Sequence, residues 1–483
     1  MAQIPPIDDG AQRPLLSEYD EAAYDAVTTE RSTFTRNLGA LEAFAIVISI
    51  VIGSGVFTST GSIDANVSSP GVALAVWLVG GVLAWTGAST LAELGTAIPG
   101  EGGVQPYLQR VFGDVVGFLA AWTIRGEHIF SEGGDGSGRA MGAQAPVCAG
   151  AWGHQRSELN QHDGKHAAEQ LFRGDEIWTA DPEKDVGGGD WATKSWFRFR
   201  DSIAPDGSTI HWGELSTWET LGHISAALYG ALWAYSGWDK ANYITAELSS
   251  PARQLPLAIN TAIPVIIASF IATNTAYYIL LPWDIIPTTD SVAVTAITRL
   301  LGPWFGIAAA TLICLVVAGS LLGNSFVAGR MAVAAANKNW LPPPLAVLGR
   351  IGAAAPNTTQ PDSSKPSTSD APLNALLLST VLSTLYILLG DFRSLITLNG
   401  LGEFSFFFLT VVAAIILRFR EPDLDRPYKP LLVVPVTFAV VSGLVVIRGA
   451  AFAPVQAAVL VGVWGFGVVF YWARRAWARA VDE

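Results

Sequence analysis

The sequence predicts an all-α polytopic membrane protein in which two membrane-spanning helices are broken in the middle. Of the 483 residues, 51% are hydrophobic and only 14% are charged, whereas soluble domains carry about 25% charged residues. A spanning helix needs about 20 mostly apolar residues. Segments of this kind lie at 41–63, 71–97, 223–246, 257–282, 303–327, 372–390, 398–417, 430–447 and 452–473. This composition excludes a soluble globular protein.

Glycine and polar residues interrupt the first and the third of these segments. The interruptions read Ile52-Gly53-Ser54-Gly55-Val56 and Trp233-Ala234-Tyr235-Ser236-Gly237-Trp238-Asp239. Unwinding exposes backbone N–H and C=O groups that hydrocarbon cannot satisfy, so a break is expected only where it faces water or a bound ligand. Secondary transporters build substrate sites in this way. The two breaks therefore predict a small-solute transporter rather than an enzyme.

Charge placement predicts the orientation of the chain. Lysine and arginine are concentrated in alternate connections of the second half, and the positive-inside rule places these connections in the cytosol. We expect residues 1–38 to form a disordered cytosolic tail and residues 476–483 to form a C-terminal cytosolic tail. The expected location is the plasma membrane, with the lipid bilayer as surroundings. The net charge of −12 says little about partners, and we expect no nucleic-acid partner.

The first half holds too few spans for this orientation. Spans 41–63 and 71–97 return the chain to the cytosol, yet span 223–246 is expected to start outside. The apolar run 114–124 is too short to cross, and residues 125–191 are polar and rich in glycine. Two explanations are open for 125–191: a hydrophilic insertion that belongs to the protein, or a gene-model error that replaces membrane helices.

Motifs at 52–57, 99–103, 232–239 and 426–429 resemble, in order and spacing, those of amino acid–polyamine–organocation (APC) superfamily permeases. The last motif resembles the L-type amino acid transporter branch, and the chain is similar to its fungal methionine-permease-like members. The resemblance implies twelve spans, the first ten in a 5+5 inverted-repeat (LeuT-like) fold with helices 1 and 6 broken. On this template about nine spans are intact, and a polar segment replaces spans 3b–5.

The resemblance also implies a domain organisation and a function. The first repeat covers 39–124, the aberrant polar segment 125–191, an extracellular loop 192–222, the second repeat 223–418, and spans 11 and 12 cover 419–475. The implied function is secondary active transport of neutral, bulky or sulfur-containing (methionine-like) L-amino acids by alternating access. Two alternatives stay open: an amino acid sensor that does not transport, and a non-functional product that lacks spans 3b–5.

The expected substrate site lies at the two breaks. A broken helix offers N–H groups to the carboxylate of an amino acid and C=O groups to its ammonium. The residues expected to bind substrate are Ile52, Gly53, Ser54, Gly55, Val56, Trp233, Ala234, Tyr235, Ser236 and Asp239. The resemblance implies that Trp233 closes the site as an aromatic gate. Span eight is expected to add Ser320, Gly323 and Asn324 to the pocket.

Several polar residues have more than one interpretation. Asp239 is either a functional group, which couples protons or binds a polar part of the substrate, or a partner of Lys240 at the bend. Glu93 either forms a structural hydrogen bond or takes part in transport. Three histidines at 154, 162 and 166 match no zinc-binding spacing, so we expect no metal and no cofactor other than a coupled proton. We expect no disulfide-linked accessory subunit, because Cys148 lies in the polar segment.

Overall fold

The computed structural model describes residues 38–98, 100–123, 196–203, 209–283, 285–289, 291–346, 372–389 and 392–482. Within these ranges the chain is helical apart from turns and one short hairpin. The expectations for the N-terminal tail and for the polar segment 125–191 fall on residues outside these ranges, and both stay predictions.

The first part of the chain contains α1 (Ala40–Val51), α2 (Gly55–Asp64), α3 (Pro70–Ala97), α4 (Val104–Phe112) and α5 (Asp114–Thr123). In the hairpin, β1 (Ser202–Ile203) pairs in antiparallel fashion with β2 (Thr209–Ile210). The second part contains α6 (Thr217–Ala234), a 3-10 segment (Lys240–Glu247), α7 (Pro251–Leu280), α8 (Val292–Leu301), α9 (Pro303–Asn337), α10 (Leu373–Leu389), α11 (Phe392–Arg420), α12 (Val433–Phe452) and α13 (Pro454–Asp482).

These helices confirm the expected all-α polytopic class. Among the described residues, six helices are long and apolar enough to cross a membrane, and the bent pair α1–α2 raises the number to seven. Two details differ from expectation. Helix α8 was not foreseen, because its ten residues are too few for a span. Helix α9 continues to Asn337 instead of ending near 327, because Arg330 is ion-paired with Glu247 (2.8 Å) inside the protein.

Helix α6 begins earlier than expected, at a capping box. The Ser216 hydroxyl accepts a hydrogen bond from the N–H of Glu219, and the Glu219 carboxylate accepts one from the N–H of Ser216 at 2.9 Å. This arrangement satisfies donors at the first turn of a helix. The Ser216 donors favour the charged carboxylate and lower the pKa of Glu219.

Helices α3 and α7 pack along each other at the centre of the bundle, and α3 also contacts α6 and α12. The fully buried ring of Trp77 on α3 meets the rings of Tyr235 and Phe270 edge-on, with centroids 6.0 and 5.6 Å apart. Glycine permits the close approach: a methyl group at Gly81 would lie 2.6 Å from Ile267. Helix α3 therefore supports the residues that follow α6.

A buried charge cluster joins α3 to the end of α11. The Nε atoms of Arg418 and Arg426 lie 2.9 and 3.3 Å from Glu93 Oε1, and Glu93 is 1% exposed. Arg426 also donates to the carbonyl oxygens of Leu417 (2.9 Å) and Glu421 (3.0 Å), which lie where the last carbonyls of a helix lose their partners. Of the two interpretations of Glu93, the structure supports the structural one.

We expect Glu93→Gln to lower the free energy of unfolding by roughly 3–5 kcal/mol, because it leaves two buried guanidinium groups without their carboxylate. Thermal unfolding of the purified protein in detergent measures the loss. The control is Glu421→Gln, which removes the partly exposed pair with Arg110 and should cost about 1 kcal/mol or less. Equal losses in the two variants would contradict this account.

Candidate functional site

The first spanning segment is broken at residues 52–54, where the axes of α1 and α2 differ by 44°. The N–H of Gly53 turns back to the carbonyl of Val51 at 2.9 Å, and helical bonding resumes only with donors beyond Val56. Gly55 and Val56 are buried. Within the described residues, no group accepts a hydrogen bond from their backbone N–H groups. The first turn of α2 thus presents buried donors without an acceptor.

The second break follows α6. Gly237 has φ of +102°, a left-handed conformation that glycine adopts without steric cost. The N–H of Ser236 bonds to the carbonyl of Trp233 at 3.0 Å, which departs from the α-helical pattern. As a result, the carbonyl oxygens of Ala234 and Tyr235 receive no backbone N–H from the residues that the structure describes. The end of α6 therefore presents acceptors.

The two breaks lie directly against each other. A methyl group at Gly55 would lie 2.7 Å from the Cα of Ala234, and one at Gly237 would lie 2.7 Å from the Ile50 side chain. Glycine at position 55 is thus required for close contact between the start of α2 and the end of α6. This contact brings the unpaired donors and the unpaired acceptors into one region.

This region suits a small molecule that carries both charges. The N-terminal end of a helix bears a positive partial charge and the C-terminal end a negative one. Backbone N–H groups at a helix start bind carboxylate and phosphate groups. The start of α2 therefore favours an anionic group, and the end of α6 favours a cationic group beside it.

The span-eight candidates hold the first break in place. The Ser320 hydroxyl donates to the carbonyl oxygen of Ile50 at 2.9 Å, and Asn324 Nδ2 donates to the carbonyl oxygen of Ser320 at 3.2 Å. Gly323 lies against Ile50, since a methyl group there would be 2.6 Å from its Cγ1. Ser320 thus satisfies a carbonyl that the break releases, and a direct role of these residues in substrate binding stays a prediction.

The side chains at the second break have different surroundings. The Tyr235 ring packs on Trp77 and on Phe270 (4.9 Å between centroids), so Tyr235 can offer only its backbone to a ligand between the breaks. Trp233 and Ser236 are half-buried. The role of Trp233 as a gate stays a prediction.

Asp239 forms the ion pair that was one of its two interpretations. Its Oδ2 lies 3.2 Å from the ammonium of Lys240, and that ammonium lies 3.7 Å from Glu403 Oε1 on α11. All three side chains are buried. The sequence signal for Glu403 is an acid inside the apolar segment 398–417, which is expensive in a membrane without a partner. A coupling role for Asp239 stays a prediction.

Comparison with known proteins decides the family. The model of the amino acid permease family matches residues 38–124 and 188–473, which include both breaks. The chain belongs to the amino acid permease family. It is therefore a permease of the APC superfamily and an integral multi-pass membrane protein, not an enzyme. The family match omits residues 125–187.

Curated relatives of this permease carry names of amino acid transporters. The b(0,+)-type amino acid transporter 1 of Mus musculus is 30% identical over 440 residues, covering 88% of this chain and 84% of that protein. The Asc-type amino acid transporter 1 of Mus musculus is 27% identical and covers 85% and 76%. The cystine/glutamate transporter of Pongo abelii is 26% identical and covers 85% and 79%. The methionine-permease likeness stays a prediction.

We expect Ser320→Ala to destabilise the permease by about 1–3 kcal/mol, because the buried Ile50 carbonyl loses its donor. The melting temperature of the purified protein measures this effect. Thr311→Val is the matched control on the same helix, since its hydroxyl bonds only to the carbonyl of Ile307 one turn back on the exposed face. A control that loses as much stability as Ser320→Ala would contradict the role of Ser320.

Proposed function

We propose that this permease carries neutral L-amino acids across the membrane by alternating access, with the substrate bound between the two breaks. The observation that carries the proposal is the pair of buried N–H groups at Gly55 and Val56. Among the described residues they lack an acceptor, and they lie beside carbonyls at the end of α6 that receive no backbone donor from those residues. A buried donor without a partner costs about 1–3 kcal/mol. A bound carboxylate would remove that cost.

The carboxylate of the substrate accepts from Gly55 and Val56 at the positive end of α2. Its ammonium donates to the carbonyl oxygens of Ala234 and Tyr235. These groups sit on adjoining helix ends because of the contact between Gly55 and Ala234. Recognition of both charged groups would explain why a free amino acid is the substrate, rather than a simple amine or a simple acid.

The substrate side chain should be apolar and bulky or sulfur-containing. The breaks contribute the apolar side chains of Ile52, Val56 and Trp233. An ionised side chain placed against them would lose its hydration without gaining a counter-ion there. Methionine and leucine are therefore the first substrates to test.

Alternating access needs hinges, and the two breaks provide them. Helix α2 is joined to α1, and α6 to the 3-10 segment, by unwound backbone that can absorb changes of φ and ψ. The substrate sits at both hinges, so its binding can change their geometry. The ion pair of Asp239 with Lys240 lies at the second hinge. Protonation of Asp239 would break this pair and alter the bend.

We expect Gly55→Ala to reduce L-methionine uptake at least about tenfold, because losing one hydrogen bond to a charged group costs about 1.5–3 kcal/mol. The added methyl group would force the end of α6 away from α2. Uptake of labelled L-methionine into proteoliposomes measures the loss. Gly319→Ala is the matched control, since a methyl group there meets no atom within 4 Å.

Two further measurements complete this test. The methyl ester of L-methionine, which lacks the anionic carboxylate, should compete poorly for uptake by the unmodified permease. Unchanged uptake by monodisperse Gly55→Ala protein would contradict the proposed site. Binding of L-methionine without any uptake by the unmodified protein would favour a sensor instead of a transporter.

A further inference from the structure

We propose that Asp64, the last residue of α2, must bind a proton before the C-terminal end of α2 can be buried inside the protein. Acid would therefore accelerate transport. The proposal rests on the proposed transport function and adds to it a group outside the two breaks. No sequence pattern predicted this role, because the expected span ended at Ile63 and left Asp64 beyond it.

The surroundings of Asp64 are those of a neutral carboxyl group. Asp64 is fully buried. Its Oδ1 accepts a hydrogen bond from the Tyr278 hydroxyl at 2.6 Å, and its Oδ2 has no hydrogen-bond partner among the residues that the structure describes. None of the ion pairs found in the described part of the chain includes Asp64. A buried carboxylate without a cation takes up a proton in preference to staying charged.

The helix makes the charged form less favourable still. Asp64 lies at the C-terminal end of α2, where the partial charge of the helix is negative. A single hydroxyl donor offsets only part of the cost of burying the charge. The other buried acids of the described residues lie near a cation: Glu93, Glu247 and Asp239 are within 3.3 Å of an arginine or lysine nitrogen, and Glu403 is 3.7 Å from Lys240 Nζ.

Asp64 is also placed where movement of α2 would expose it. The Thr60 hydroxyl donates to Asn274 Oδ1 at 2.8 Å, one turn before the bond between Asp64 and Tyr278. These two bonds tie α2 to α7. The ten residues from Gly55 to Asp64 correspond to about 15 Å of helix. Tilting α2 about the first break would therefore separate the two ties and open Asp64 to solvent.

The neighbouring elements carry few other groups that titrate. Helix α7 contributes Tyr277 and Tyr278, and α3 carries only Glu93, near its opposite end. The 3-10 segment Ile286–Thr288 carries none, and Arg299 of α8 is exposed.

Helix α6 contributes Glu219, His223 and Tyr229, and the Nδ1 of His223 lies 3.0 Å from Asn66 Oδ1, two residues after Asp64. A control variant at His223 is therefore needed.

The chemical step is the binding of one proton. A proton from the solution joins the Asp64 carboxylate while α2 is tilted away, giving the neutral carboxyl group that is then buried against Tyr278. Opening the same side returns the proton to the solution. A closing step that takes up one proton becomes up to about tenfold more favourable for each unit of pH decrease.

The test is L-methionine exchange by the full-length protein in proteoliposomes, with the same pH on both sides, about 6.0 or about 7.5. We expect exchange to be at least about fivefold faster at the lower pH, within the usual range of coupling between two sites. In Asp64→Asn, which keeps an acceptor for Tyr278 but cannot titrate, the two rates should agree within about twofold. Thr60→Val, which breaks the neighbouring tie without removing a titrating group, should keep the acid response.

His223→Gln should also keep the acid response. A second variant keeps the inference testable if Asp64→Asn does not fold. Tyr278→Phe removes a hydrogen bond that favours the charged carboxylate, so the midpoint of the acid response should move up by about one pH unit.

The outcomes separate this inference from the proposed function. No exchange by the unmodified protein would refute transport, and the inference with it. Exchange that is equally fast at both pH values would overturn the inference and leave transport standing. An acid response that survives in Asp64→Asn, or that disappears only in His223→Gln, would overturn it too. So would stimulation by sodium ions in place of acid.

Discussion

Backbone groups that are released inside a membrane must find hydrogen-bond partners, and this requirement organises the centre of the permease. Where α1 ends, the freed carbonyl of Ile50 is satisfied by Ser320. Where α11 ends, Arg426 reaches back to two carbonyl groups. At the start of α2, in contrast, two buried N–H groups have no acceptor among the described residues. The protein itself satisfies the carbonyl groups released at the ends of α1 and α11, whereas the N–H groups at the start of α2 are available to a ligand.

Buried charges likewise need partners. Glu93 and Glu247 each face arginine, and Asp239 faces Lys240. The two glutamate–arginine pairs join elements that are far apart in the sequence. A charge inside the protein is tolerated only with its partner. Asp64 differs from them, since a tyrosine hydroxyl is its hydrogen-bond partner. A tyrosine hydroxyl favours the charged carboxylate but can also bond to the neutral carboxyl group, so Asp64 can change its charge without leaving a cation behind.

Much of the fold was predictable from the sequence, because hydropathy and glycine act locally. The apolar segments gave the spans, and the glycines at 53, 55 and 237 gave the two breaks. The partners of the breaks were not predictable. Ser320 was expected to face the pocket, yet its hydroxyl bonds to Ile50, 270 positions away. Glu403 and Asp64 were passed over because their importance depends on packing against α6 and α7. The motif at 426–429 was recognised, but only the structure shows that Arg426 pairs with Glu93.

The central claim is that the start of α2 binds the carboxylate of the substrate. A structure determined with L-methionine bound tests it most directly. We expect a carboxylate oxygen within about 3 Å of the backbone nitrogen of Gly55 or Val56, with the ammonium near the carbonyl oxygens at the end of α6. A ligand bound elsewhere, or a protein acceptor on both N–H groups in the complex, would contradict the account.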